Sequence, residues 1–218
     1  MTCEAKRSRW GLVVERIVRF GGYATLSFCA LLHAAGELGR RADVGALATP
    51  ADSKLWSPTR LHEYTASLNI AVEPPVALLQ VESLGILVPI YADTSEVFLN
   101  RGAGLIEGMA QPGQGGNLGI AGHRDGYFRP LKELKLGDVI TVRTHTHRFE
   151  YRVTNIDIVP KEDRGLLTDT ADPTVTLVTC YPFYFVGHAP SRFVARAQLD
   201  RTYSDNSWLS HSTGDDPT

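Results

Sequence analysis

Three cysteines in 218 residues, Cys3, Cys29 and Cys180, are too few for a disulfide framework, and two of them lie in or before an apolar N-terminal stretch. If the folded part is exported, Cys180 stands alone there, and a lone thiol in an oxidising compartment is either buried and inert or retained for its reactivity. Charge of one sign is also lacking. The chain carries 22 Lys and Arg against 24 Asp and Glu, a formal net charge of -2, so nothing points to nucleic acid as a partner. No internal repeat is visible. The glycine-rich segment QPGQGGN at Gln111–Asn117 lacks the Lys-Ser/Thr ending of a phosphate-binding loop and precedes a strand pattern, so it reads as a tight turn. No spacing of His, Cys, Asp or Glu suits a metal, and no metal or organic cofactor is expected.

What is present begins with a basic cluster, Lys6, Arg7, Arg9, Arg16 and Arg19, followed by a run from Phe20 to Gly36 free of Asp, Glu, Lys and Arg. A spanning helix needs about 20 apolar residues, with a lower limit near 17, and Gly21, Gly22, Ser27 and His33 dilute this run. A cleaved signal peptide and a buried soluble helix are the other readings. No small-x-small cleavage site follows the run, so an uncleaved signal-anchor is the expectation. The preceding positive charge would keep the N-terminus in the cytoplasm and send the rest outward.

From Glu37 to Asn69 the composition shifts to Ala, Gly, Arg and Ser, with Pro50 and Pro58. Trp56, Leu61, Tyr64 and Leu68 recur at helical spacing after Ser57-Pro58, which predicts an N-capped amphipathic helix with a first-turn proline. Beyond Pro74-Pro75 the pattern becomes strand-like. Val76–Val81, Gly85–Ile90, Leu118–Ala121, Val139–Arg143, Phe149–Val159, Val175–Cys180 and Arg192–Leu199 are the candidate strands, with a short helix at Tyr127–Leu134. Such a count argues for a mostly β fold, a closed β-barrel of about eight strands. The expected organisation is a basic N-terminus (1–19), a membrane anchor (20–36), a linker with a short helix (37–73), a barrel domain (74–200) and a disordered tail (201–218).

Three residues at strand ends could carry chemistry. Period-two alternation in VTLVTC puts Thr176, Val178 and Cys180 on one face, with the thiol where the strand opens into a loop. A nucleophilic thiol needs a basic neighbour. His123 ends LGIAGH and His188 lies in the nearby loop FVGHAP, whereas His145 and His147 read as a solvent-exposed hairpin tip. Arg192 and Arg196 share a face of the last strand, where a guanidinium could donate to an oxyanion or simply be ion-paired.

Together TLVTC at Thr176–Cys180, GHRD at Gly122–Asp125 and SRFVARA at Ser191–Ala197 resemble the sortases, and in particular their class D members. The resemblance extends over roughly Pro74 to Leu199. It implies a cysteine transpeptidase with Cys180 as nucleophile, His123 as general acid/base and Arg192 as oxyanion stabiliser. The implied partners are exported proteins with a C-terminal sorting motif similar to Leu-Pro-x-Thr-Gly, and an amine acceptor on the cell envelope or another subunit. The implied location is the outer side of the plasma membrane. Two rivals are a non-catalytic, membrane-tethered barrel with Cys180 as a core residue, and an envelope L,D-transpeptidase, whose Ser-His-Gly-Cys cluster is missing from this chain.

Overall fold

Alternating apolar residues from Ala77 onward leave each strand with one face that must leave water, and eight such strands satisfy the requirement by closing on themselves. The computed structural model describes residues 56–204 apart from 164, 166–167 and 185–188, together with residues 19, 22–23, 25–28 and 31. The chain divides into two units, residues 1–43 and 44–218.

In the first unit the described residues are helical and exposed. No helix among the described residues is long and apolar enough to cross a membrane. The expected anchor at 20–36 lies largely outside them, as do nearly all of the basic N-terminus and the linker up to residue 55.

The second unit opens with helix α1 (Pro58–Ser67) and continues with β1 (Ala77–Val81), β2 (Ile86–Tyr91), α2 (Glu96–Arg101), β3 (Ala103–Leu105) and β4 (Asn117–Gly122). It ends with β5 (Val139–Arg143), β6 (His147–Pro160), β7 (Thr174–Tyr181) and β8 (Ser191–Ser204). The strands close in the order β1-β2-β3-β4-β7-β8-β6-β5. β5 returns to β1, and only β2/β3 and β4/β7 are parallel pairs. Inside lie Leu79, Val88, Ile90, Ile120, Ile140, Val142, Val175, Leu177 and Ala195, all fully buried. Burying an aliphatic side chain of this size contributes roughly 1.5–3 kcal/mol, so this interior is the main source of the barrel's stability.

All seven expected strands form. The eighth, β3, has three residues, too few for a periodic signal. The expected helix at Tyr127–Leu134 is a turn followed by a 3-10 segment at Arg129–Glu133. β8 runs to Ser204 instead of ending near residue 200, because β6 begins at His147, which pairs with Ser204 and keeps the ladder going. The expected tail therefore loses its first four residues to the barrel.

Helix α1 is where expected and is capped as expected: the Ser57 hydroxyl accepts from Arg60 N at 3.1 Å, with Pro58 in the first turn. Its apolar stripe is not what it buries. Leu61 and Leu68 are 46% and 49% exposed, while Arg60 and Ser67 are buried. The helix docks through polar contacts, which a hydrophobic pattern cannot reveal.

Candidate active site

β4 and β7 run parallel, with Leu118–Ala121 opposite Val175–Val178. Two residues further along both chains, His123 falls level with Cys180. Across the antiparallel β7/β8 ladder Cys180 is paired directly with Arg192. Cys180 and Arg192 are thus direct partners on adjacent strands, whose backbones lie about 4.8 Å apart, and His123 stands one residue past the end of the neighbouring β4. The β4-β7-β8 order brings these three segments, distant in sequence, side by side. His188 lies outside the described residues; His145 and His147 are exposed at the β5/β6 turn, as expected.

The alternation within β7 is as expected. Val175 and Leu177 enter the core, whereas Val178 and Cys180 are half-buried on the outer face. Cys180 carries a free thiol. Ala121, Val178 and Val194 form the next row back on that face, since Ala121 pairs with Val178 and Val178 with Val194.

The two threonines of TLVTC bind β7 to β4. Thr176 is fully buried and its hydroxyl donates to Asn117 Oδ1 at 2.7 Å, while the Asn117 side chain donates to the Thr168 carbonyl at 3.0 Å. The Thr179 hydroxyl donates to the Gly122 carbonyl at 2.7 Å. Beyond Gly122 the His123 carbonyl accepts from the amides of Gly126 and Phe128, at 3.2 and 3.3 Å, closing the turn that carries the imidazole. Gly122 must be a glycine for space: an added Cβ would stand 2.8 Å from the ring of the fully buried Phe128.

The loop after Cys180 is held from two sides. Phe183 is buried and packs edge-on against Phe193, with ring centroids 5.2 Å apart. Arg124 Nη1 donates to the Pro182 carbonyl at 3.2 Å, linking the segments that follow His123 and Cys180.

His123 is shielded from water, and its Nε2 lies 3.4 Å from Glu96 Oε2, at ion-pair distance but without hydrogen-bond geometry. Burial lowers its pKa below the ordinary 6.5, the Arg60 guanidinium lowers it further, and Glu96 and Asp125 pull the other way. Arg192 donates through Nη1 to the carbonyls of Ser191 and Ala189, at 3.1 and 3.4 Å. No carboxylate among the described residues pairs with it. Arg196 differs: it bonds Asp157 Oδ2 at 3.4 Å and the Gly165 carbonyl at 3.3 Å. Of these two arginines, the one paired with Cys180 across the ladder has no carboxylate partner among the described residues.

Glu96, Arg60 and Asp125 escaped the sequence reading. Asp125 was visible as part of GHRD, but its partner Arg60 is 65 positions away. Among the described residues no group of His, Cys, Asp or Glu could hold a metal ion.

The sortase domain model matches residues 79–200. Sortase D of Bacillus subtilis is 31% identical over 118 residues, 54% of this chain and 60% of that protein. Sortase A of Listeria monocytogenes is 26% identical over 149 residues, 66% of this chain and 65% of that one. The chain thus spans less than two thirds of the length of either relative. A solved Clostridium perfringens Sortase D5 transpeptidase superposes with a TM-score of 0.54 at 26% identity, over 69% of this chain and 92% of its own. With a closed barrel of eight strands and a sortase domain match over more than half its length, the chain belongs to the sortase family of cysteine transpeptidases.

Proposed function

We propose that the chain cleaves a C-terminal sorting motif of exported proteins, similar to Leu-Pro-x-Thr-Gly, through a thioester on Cys180 and transfers the acyl group to a primary amine. What supports this reading is the β4-β7-β8 register, in which Cys180 pairs with Arg192 and His123 follows two positions past Ala121, the partner of Val178, with no carboxylate among the described residues on Arg192.

In the first step Sγ of the Cys180 thiolate attacks the backbone carbonyl carbon between Thr and Gly of the motif, and the carbonyl electrons move to oxygen. Arg192 stabilises that oxyanion, a contribution worth about 3–4 kcal/mol in a water-poor site, together with backbone near Thr179. Collapse breaks the C–N bond, and the departing amine takes a proton from the His123 imidazolium. The incoming amine then attacks the thioester, gives a proton to His123 and releases Cys180 as thiolate. The row Ala121, Val178 and Val194 would floor the groove for the acyl segment, on the same face as the thiol. Transfer to an amine in preference to water requires that the amine be positioned.

The N-terminal segment at 20–36 would hold the enzyme at the plasma membrane with the barrel outside. Its substrates are held at the same surface after export, and confinement raises the effective concentration of both. The product would be an anchored surface protein or a pilus-like polymer.

The test uses the chain from about Ser53 onward with a fluorogenic library of sorting-motif variants, with and without added amines. Amine-dependent cleavage, lost in Cys180→Ala, His123→Ala and Arg192→Ala, is the expected result. A wild-type barrel that cleaves no motif and whose folded Cys180 resists alkylation would overturn it in favour of a non-catalytic barrel.

A further inference from the structure

The sortase domain model begins at residue 79, yet the residue most completely engaged with the histidine loop lies before it. Arg60 of α1 is buried, and its Nε and Nη2 both reach Asp125 Oδ1 at 3.2 Å, two positions after His123. Its Nη1 bonds Glu63 Oε2 at 3.0 Å and the side chain of Asn100 in α2. Around this fork the ring of Trp56 packs edge-on against Tyr127 of the same loop, at 5.0 Å, and against Tyr64 of α1, at 5.7 Å. From the next residue of α2, Arg101 donates to the carbonyls of Ser67, the last residue of α1, and of Ile70 beyond it. Glu96, at the start of α2, faces the imidazole. The helix that buries no apolar face is therefore bound, through charges and one aromatic pair, to the two segments that flank His123.

We propose that α1 is part of the catalytic apparatus and that Arg60 is a positioning residue for His123, holding the 123–128 loop through Asp125 and the C-terminal end of α2 through Asn100. Arg60 acts through Asp125 and touches no reacting atom. The inference rests on the transpeptidase reading for its kinetic consequence but not for its structural one. The charged groups facing His123 are Arg60 from α1, Glu96 from α2 and Asp125 from its own loop. Removing Arg60 leaves two carboxylates beside the imidazole with no cation between them, which favours its protonation.

The experiment compares wild type with Arg60→Gln, Arg60→Lys, Asp125→Asn, the Arg60→Gln/Asp125→Asn double variant and, as a control, Asp200→Asn, which breaks an exposed pair with Arg152. Three quantities are read: the His123 titration by NMR, the cleavage kinetics and the melting temperature. In Arg60→Gln the His123 midpoint moves to higher pH and kcat falls roughly ten- to a hundredfold with little change in KM. Arg60→Lys recovers part of both, the double variant is no worse than the worse single one, and Asp200→Asn behaves as wild type. A lowered melting temperature with an unmoved His123 midpoint would overturn the proposal, leaving Arg60 a structural residue. The titration requires no substrate. A moved midpoint in a protein that cleaves nothing would refute the transpeptidase reading and leave the positioning role standing.

Discussion

The hydroxyl of Thr179 donates to the carbonyl of Gly122 at 2.7 Å, joining the residue before Cys180 to the residue before His123. One bond therefore extends the β4/β7 ladder to the residues proposed as nucleophile and proton carrier. Both of its ends lie in motifs that resemblance marks as functional, yet its role is structural.

Replacing Thr179 by Val keeps the shape and removes the donor, leaving a buried carbonyl with one partner fewer. The expected loss is about 1–2 kcal/mol of stability by chemical denaturation. Activity should fall while the Cys180 thiol stays alkylatable, because the thiol is retained and only its alignment with His123 is loosened.

Gly122→Ala tests the same junction sterically. The added methyl meets the Phe128 ring, which is fully buried and has little room to retreat. An overpacking penalty of about 1–3 kcal/mol is expected in the denaturation midpoint. A second substitution, Phe128→Leu, should restore part of the activity of Gly122→Ala if the clash is what displaces the histidine turn.

Arg192 and Arg196 of β8 should separate cleanly. Arg192→Ala is expected to lower kcat by about 10²–10³ with the fold intact, since it removes an oxyanion donor. Arg196→Ala breaks a half-exposed pair with Asp157 and should cost no more than about 1 kcal/mol of stability and little rate. Steady-state kinetics on the two variants, with circular dichroism as the control for folding, decides between them.

How legible these relationships were in the sequence depended on their range. Each strand-end residue sits in a local motif, and strand periodicity was strong wherever one face was buried, so the barrel could be named and three candidate residues placed at its strand ends. The polar continuation of β8 through Asp200–Ser204 has no buried face, and its strand form comes from pairing with β6. The spacing of Leu61 and Leu68 looked like a core-facing stripe, but the surface that α1 meets is charged and aromatic. Arg60 and Glu96 came to His123 only through tertiary folding.

The acidity of His123 has a consequence for stability. Its folded-state pKa is depressed, first by burial and then by Arg60, so between that value and 6.5 the unfolded chain binds more protons than the folded one. Stability is fully present above 6.5 and is lost as pH falls through the folded value. The melting temperature of wild type should therefore decline more steeply from pH 6.5 to about pH 5 than that of His123→Gln. Glu96→Gln, which removes a group that raises the pKa, should move the His123 NMR midpoint lower still.

Whether Cys180 forms an acyl-enzyme is the central matter, and intact-mass spectrometry of the protein mixed with sorting-motif peptides addresses it directly. The account predicts a mass increase equal to the acyl fragment, located on Cys180, absent from Cys180→Ala and discharged by an added primary amine with release of the amide product. A protein that gains no mass with any motif, or an adduct that forms equally on Cys180→Ala, would contradict it.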